Sequence, residues 1–222
     1  MRNRPTIVAV IADTHIRHLS ELPLGLMSTL ASVDAVIHLG DYDSRELLDE
    51  LRKLGNFYGV AGNHDDKLLR QELKGMEVLE VDGKRLGLIH GFSFPLAIQE
   101  RMKALFKKHN IDAILYGHTH FATSRTIDGV FLFNPGSVTG HFPASCCSFG
   151  LLTLDGSISG EIVPLENTRN GGRGFLIQLA AMLLQKAMRW VETWPYPDFP
   201  QYTANTRLAL KRSFLGLGKP LF

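Results

Sequence analysis

Pairs of side chains suited to metal binding occur at both ends of the first 120 residues. Asp13 and His15 stand one residue apart, and so do His118 and His120. In an extended segment, residues i and i+2 point to the same side, so each pair is expected to clamp one ligand. Between these pairs lie further carboxylate, amide and imidazole groups, namely Asp41, Asn63, His64 and His90.

Neutral imidazole and carboxylate suit Mn²⁺, Fe or Zn²⁺, and no thiolate in this set favours softer metals. Leaving His64 aside, the candidate ligands are Asp13, His15, Asp41, Asn63, His90, His118 and His120. Seven ligands exceed the needs of one structural ion but suit two ions about 3.5–4 Å apart that share a carboxylate. Taken singly, each histidine could be an ordinary surface or core residue, and each aspartate a helix cap or turn residue. Their ordered repetition favours the metal interpretation.

Short apolar runs predict five buried strands, and each run ends in one of these polar motifs. Segments with helical spacing separate the runs, and Ser44 and Asp65 are predicted to cap two of the helices. The alternation is typical of an α/β fold, in which sites form at the carboxyl ends of strands. The predicted strands are 6–13, 35–41, 57–65, 86–91 and 113–120, and the predicted helices are 22–31, 44–54, 65–73 and 96–109. After residue 120 the apolar runs 130–137, 148–156 and 157–165 are all strand-like and predict a second sheet.

The motifs, taken in order, resemble those of the calcineurin-like metallophosphoesterase superfamily. They read D-x-H at 13–15, G-D at 40–41, G-N-H-D at 62–65, H-G at 90–91 and G-H-T-H at 117–120. The chain is most similar to the compact phosphodiesterases of that group, which lack a cap domain, and N-P-G-S at 134–137 supports this similarity. The resemblance covers roughly residues 5–165. It implies a four-layer αββα sandwich of two mixed sheets, here with a C-terminal helical extension.

The resemblance also implies a role for each site residue. Asp13, His15 and His120 would hold the first metal, and Asn63, His90 and His118 the second. Asp41 would bridge the two ions. His64 matches the catalytic histidine that contacts the phosphoryl group and assists the leaving group, although many compact members carry another residue there. Mn²⁺ is the expected metal, with Fe, Zn²⁺ or Ni²⁺ as alternatives.

The activity implied is metal-dependent hydrolysis of a phosphodiester, with a hydroxide bridging the two metals and attacking phosphorus in line. The substrate would be a small or nucleotide-like phosphoester. The alternatives are a phosphomonoesterase or protein phosphatase, a lipid-phosphoester hydrolase, and a non-catalytic scaffold on the same fold.

Polar residues outside the motifs carry weaker expectations. His38, inside an apolar run, is predicted to be buried and hydrogen-bonded. His18, His109 and His141 are predicted to lie on the surface. Arg17, two residues after His15, is either a contact for substrate phosphate or a solvated surface side chain.

Composition divides the chain into a metallophosphoesterase domain, 1–166, and a basic extension, 167–222. The extension holds eight basic and two acidic residues, or +6, and the body sixteen and twenty, or −4, which together give the net charge of +2. A nearly all-apolar helix at 175–191 is predicted to pack on the body or to form a homo-oligomer, with peripheral membrane contact as a third possibility. No run approaches the roughly 20 apolar residues of a transmembrane segment. With Cys146 and Cys147 adjacent and no signal peptide, we expect a cytoplasmic protein.

Overall fold

The computed structural model describes residues 4–91 and 98–165. Within these ranges the chain forms ten strands and four α-helices. In chain order they are β1 Thr6–Ile11, α1 Leu24–Ser32, β2 Ala35–His38, α2 Arg45–Arg52, β3 Phe57–Gly59, α3 Lys67–Glu72, β4 Met76–Val81, β5 Lys84–Ile89, α4 Ile98–Phe106, β6 Ala113–Tyr116, β7 Thr123–Ile127, β8 Val130–Asn134, β9 Cys147–Asp155 and β10 Ser157–Leu165.

The strands form two five-stranded mixed sheets, with orders β10-β9-β1-β2-β3 and β4-β5-β6-β8-β7. In the first sheet β1 pairs parallel with β2 and antiparallel with β9. In the second, β6 pairs parallel with both β5 and β8. The expected sandwich is therefore confirmed. The expected second sheet is present, but the strands after residue 120 are divided between the two sheets: β9 and β10 complete the first, and β7 and β8 join the second.

Side-chain alternation along the central strands builds the four layers. In β1, Val8 and Val10 face the core between the two sheets, whereas Ala9 and Ile11 face the core that contains helix residues such as Leu47 of α2. On the far side of the second sheet, residues of β5, β6 and β8 pack on α4. Because these strands are buried on both faces, they read as continuous apolar runs in the sequence.

The helix caps confirm one prediction and correct another. Ser44 caps α2, since its hydroxyl accepts a hydrogen bond from the Leu47 N–H at 3.0 Å. Asp65 does not cap α3. Its neighbour Asp66 does so, accepting from the Leu69 N–H at 2.8 Å. Asp65 is buried beside the polar loops described below, where it accepts backbone N–H groups.

The predicted helix at 175–191 and the roles expected for the extension at 167–222 lie outside the described residues, as does the beginning of the helix expected from residue 96. Among the residues that the structure does describe, no helix is both long enough and apolar enough to cross a membrane.

Candidate metal centre

The predicted ligands lie in loops that follow the strands, and the backbone of the two sequence pairs is not extended. Asp13, His15, His118 and His120 have φ angles of 51°, 47°, 67° and 58°. The premise that an extended backbone makes each pair point the same way is therefore wrong. These residues occupy the left-handed region of φ and ψ. Residues other than glycine adopt it uncommonly, and those that do are concentrated at functional sites.

The first cluster joins the two sequence pairs. One ligand atom from each of Asp13, His15 and His120 lies within 4.8 Å of the others. Asp13 is fully buried, and among the described residues its Oδ1 has no hydrogen-bond partner. His120 Nε2 lies 3.2 Å from that oxygen.

The hydrogen bonds of His120 Nδ1 determine what its Nε2 presents to Asp13. Its Nδ1 lies 2.8 Å and 2.9 Å from the carbonyl oxygens of His141 and Phe142, so Nδ1 carries the proton and donates it to them. In neutral His120 the Nε2 lone pair then faces an Asp13 oxygen that lacks a partner. Two lone pairs directed at each other in a buried place fit a cation between them, either a proton on Nε2 or a metal ion that displaces it.

His15 has the same arrangement. Its Nδ1 lies 3.1 Å from Asp43 Oδ1 and donates to this carboxylate. Its Nε2 is left directed toward Asp41, 3.7 Å from Oδ2. An oxygen acceptor on one imidazole nitrogen fixes the tautomer and leaves the other nitrogen able to bind a metal.

The second cluster is built around His90. Its Nδ1 donates to the Leu39 carbonyl at 2.7 Å, and its Nε2 lies 3.0 Å from Asn63 Oδ1 and 3.4 Å from Asp41 Oδ2. The same Asn63 oxygen lies 2.9 Å from Nδ1 of His118. Ligand atoms of Asp13, Asp41 and His90 also fall within 4.8 Å of one another. The two clusters therefore adjoin through their carboxylates.

Asp41 lies between the clusters. Its Oδ1 accepts the His64 N–H at 2.8 Å, and its Oδ2 faces both His15 and His90. Gly62 allows this approach, because a Cβ at that position would lie 2.1 Å from Asp41 Oδ1. The glycine of the G-N-H-D motif is thus required by the position of the carboxylate.

Burial and the two carboxylates set the charge states when no metal is bound. Burial lowers the pKa of His90, but its hydrogen bond and Coulomb attraction to Asp41 outweigh burial and raise that pKa to about 9. The pKa of His120 is also raised, because pairing with Asp13 outweighs its burial. Burial and the neighbouring His90 lower the pKa of His118 to about 4. Burial raises the pKa of Asp41, but its interactions with His90 and His64 outweigh burial and lower that pKa below its usual value. Asp41 therefore stays ionised.

Buried hydrogen bonds connect the loops to one another. His38 is fully buried, as predicted, and accepts the Gly40 N–H at its Nδ1, so its Nε2 donates to the Thr14 hydroxyl at 3.0 Å. That hydroxyl in turn donates to the Asp41 carbonyl at 3.2 Å. Burial lowers the pKa of His38 well below its usual value, which keeps the ring neutral.

The N-P-G-S segment supports the centre from the other side. The Asn134 amide donates to the Gly117 carbonyl at 2.9 Å and to the Thr119 hydroxyl at 3.0 Å. The Ser137 hydroxyl donates to the Asp13 carbonyl at 2.9 Å. Thr119 is therefore part of the support of the G-H-T-H loop.

Two exposed histidines flank His15. The His64 ring lies 5.4 Å from the His15 ring between centroids, and the His141 ring lies 4.3 Å from it. His141 was predicted only as a surface residue, and its position at the centre was missed. The one sequence signal that could have found it is its place four residues after Ser137, in the loop that continues N-P-G-S.

The other polar residues outside the motifs lie in different surroundings. Arg17 is exposed and lines a cleft beside the centre together with His15 and His64. His18 is exposed and lies 3.5 Å from Glu50. His109 packs edge-on against Phe106 of α4.

Comparison with known proteins agrees with this geometry. The profile of the calcineurin-like phosphoesterase superfamily domain matches residues 7–157. A probable metallophosphoesterase of Methanocaldococcus jannaschii is 31% identical over 163 residues, which are 72% of this chain and 82% of that protein.

Two solved structures show related folds. Wild-type Vps29 from Entamoeba histolytica, complexed with zinc, is 29% identical with a TM-score of 0.57 and covers 72% of this chain and 99% of its own. An archaeal phosphodiesterase shares the fold at 22% identity, with a TM-score of 0.60 and coverage of 72% of this chain and 100% of its own. With the profile match over most of the chain, these similarities show that the chain belongs to the calcineurin-like phosphoesterase superfamily and is a metallophosphoesterase.

Proposed function

We propose that the protein is a phosphodiesterase that uses two divalent metal ions, with Mn²⁺ as the preferred metal. The observation that carries the proposal is the convergence of imidazole nitrogens on two adjoining buried carboxylates, one of which has an oxygen without a partner. Neutral imidazoles and carboxylates without thiolates suit Mn²⁺, Fe or Zn²⁺. The donor set therefore fits the metals that the family requires.

The proposed ligand sets follow the two clusters. Asp13, His15 and His120 hold one ion, and Asn63, His90 and His118 hold the other. Asp41 is the shared ligand, because its carboxylate faces a histidine of each set. When bound, two such ions neutralise phosphoryl oxygens and lower the pKa of a water molecule so that it can attack phosphorus.

His64 is the proposed catalytic histidine. Its backbone N–H is held by Asp41 while its side chain is exposed beside His15. An imidazole in this place can stabilise the phosphoryl group and give a proton to the departing oxygen. General acid catalysis of this kind contributes typically 10²–10⁴-fold.

A diester is favoured over a monoester by the space beside the centre. An open cleft of about 470 Å³ begins at His15 and His64, which leaves room for a substituent on the phosphate. The alternative is a non-catalytic scaffold on the same fold. Filled ligand positions and an exposed His64 favour an enzyme here.

The test is hydrolysis of bis-p-nitrophenyl phosphate after the protein has been stripped with chelator and resupplied with Mn²⁺. We expect activity to disappear on stripping and to return with about two Mn²⁺ per chain, and we expect p-nitrophenyl phosphate to be the poorer substrate. Preference for the monoester would overturn the phosphodiesterase assignment. Two bound metals with no turnover of either ester would favour the scaffold.

A further inference from the structure

The cleft beside the metal centre has an unusual distribution of charge. Three carboxylates line it, belonging to Glu21, Asp43 and Asp66, together with one permanent cation, Arg17. A phosphodiester is an anion, so these carboxylates repel it as it approaches. Arg17 is the one lysine or arginine that lines this cleft among the described residues, and it offsets part of the repulsion.

The carboxylates already have hydrogen-bond donors of their own. Glu21 Oε1 accepts the Arg17 N–H at 2.8 Å, and Asp43 Oδ1 accepts from the His15 ring at 3.1 Å. Asp66 Oδ1 accepts from the start of α3. These hydrogen bonds hold the three carboxylates in place without the Arg17 side chain.

The backbone of Arg17 is fixed at both of its polar groups. Its N–H donates to Glu21, and its carbonyl accepts the Ser44 hydroxyl at 2.7 Å. Its guanidinium, in contrast, makes no ion pair or hydrogen bond with any residue in the described part of the chain. A fixed backbone and an uncommitted guanidinium two residues after His15 leave this side chain available to a ligand in the cleft.

We propose that Arg17 binds a non-bridging phosphoryl oxygen of the substrate, on the side of the centre where His64 lies. A guanidinium can bind two phosphate oxygens at once, which a lysine ammonium cannot do. Arg17 is thus a substrate-binding residue that admits an anionic phosphoester into an acidic cleft. The inference rests on the proposed function, because it takes the ligand of the cleft to be a phosphoester.

The experiment measures binding of inorganic phosphate to the Mn²⁺-loaded protein by calorimetry, so that it does not depend on turnover. Arg17→Ala should weaken phosphate binding roughly tenfold to hundredfold, the range for a hydrogen bond to a charged group. Arg17→Lys should fall between Arg17→Ala and wild type. The matched control is Arg70→Ala, because Arg70 is an exposed arginine of α3 that does not line the cleft. Bound Mn²⁺ should be unchanged in all three variants.

Three results would overturn the role of Arg17. They are phosphate affinity in Arg17→Ala within twofold of wild type, an equal loss in Arg70→Ala, and no phosphate binding by the wild-type protein. If phosphate binding depends on Arg17 but the protein hydrolyses neither nitrophenyl ester, the phosphate-binding role of Arg17 would be supported. The proposed phosphodiesterase activity would be refuted. Where there is turnover, Arg17→Ala should raise KM for bis-p-nitrophenyl phosphate more than it lowers kcat.

Discussion

Metal uptake should release a proton from His90. In the metal-free protein three oxygens surround its Nε2, with Asn63 Oδ1 at 3.0 Å, Asp41 Oδ2 at 3.4 Å and Asp13 Oδ1 at 3.9 Å. Its Nδ1 already donates to the Leu39 carbonyl. A ring so surrounded holds a second proton on Nε2, which agrees with a pKa of about 9. A metal needs the lone pair at that same atom, so it must displace the proton.

The magnitude follows from the pKa of His90. At pH 7, two pH units below a pKa of about 9, about 99% of the His90 rings are protonated. Removing that proton costs about 2.7 kcal/mol, so the metal that His90 binds should be held roughly a hundredfold more weakly than above pH 9. His120, whose pKa is also raised, adds to the release, whereas His118, with a pKa of about 4, is already neutral.

The assay is calorimetric titration of the stripped protein with Mn²⁺ at pH 7 in buffers of different ionisation enthalpy. The dependence of the measured heat on the buffer gives the number of protons released, which we expect to be one or more per chain. Between pH 6.5 and 8.5 the affinity should rise by about tenfold per pH unit. Heats that do not depend on the buffer, or an affinity that does not change with pH, would refute the protonated state of His90.

Four further predictions test the same site. Asp41→Asn should lower turnover by at least about a hundredfold with loss of bound Mn²⁺, because even groups behind metal ligands contribute 10–100-fold; near-normal kcat would refute the shared-ligand role. His64→Ala should lower kcat by about 10²–10⁴-fold while two Mn²⁺ remain bound. The control His109→Ala, at a half-buried histidine that packs on Phe106, should change neither kcat nor bound metal. Loss of metal from His64→Ala would make His64 a ligand. Gly62→Ala should destabilise the fold by about 1–3 kcal/mol in urea titration, because the added Cβ would meet Asp41. In the control Gly25→Ala, in α1, the added Cβ would meet nothing within 4 Å, so this change should stabilise the fold by about 0.5–1 kcal/mol. The pKa of His90 is raised in the folded state, so its protonation stabilises the metal-free protein by about 3 kcal/mol. This stabilisation should be complete below pH 6.5 and lost as pH rises through about 9. The Tm of the metal-free protein should therefore fall across that range.

The central strands could be predicted because both of their faces are buried. β1, β2 and β6 are almost entirely inaccessible to solvent, which forces continuous apolar runs on the sequence. β4 and β7 were missed because they form the edges of the second sheet. Their residues are half-buried or exposed, so neither strand needs an apolar run. Which sheet a late strand joins depends on long-range pairing, and local patterns do not encode that pairing.

The candidate ligands could be found from the sequence because residue type alone limits metal chemistry. The geometry that brings them together could not. Asp65 and Asp66 are both competent caps, and the choice between them depends on the backbone of the preceding loop. His141 reaches the centre only because the loop after β8 returns past His15 and His120. No periodic pattern in the sequence predicts the course of that loop.

The left-handed backbone of the ligands has a functional consequence of its own. Five of the nine non-glycine residues with positive φ in the described ranges are predicted ligands, namely Asp13, His15, Asp41, His118 and His120. Such conformations cost of order 1–3 kcal/mol each and persist only where neighbouring groups hold them. Here ligand residues hold one another. The His118 N–H donates to Asp13 Oδ2 at 3.1 Å, and the His15 N–H donates to the Asp41 carbonyl at 3.3 Å. Removing the Asp13 carboxylate would therefore release His118, a proposed ligand of the other ion. Substitutions in the two metal sites should then be strongly non-additive, because each loop depends on the other for its shape.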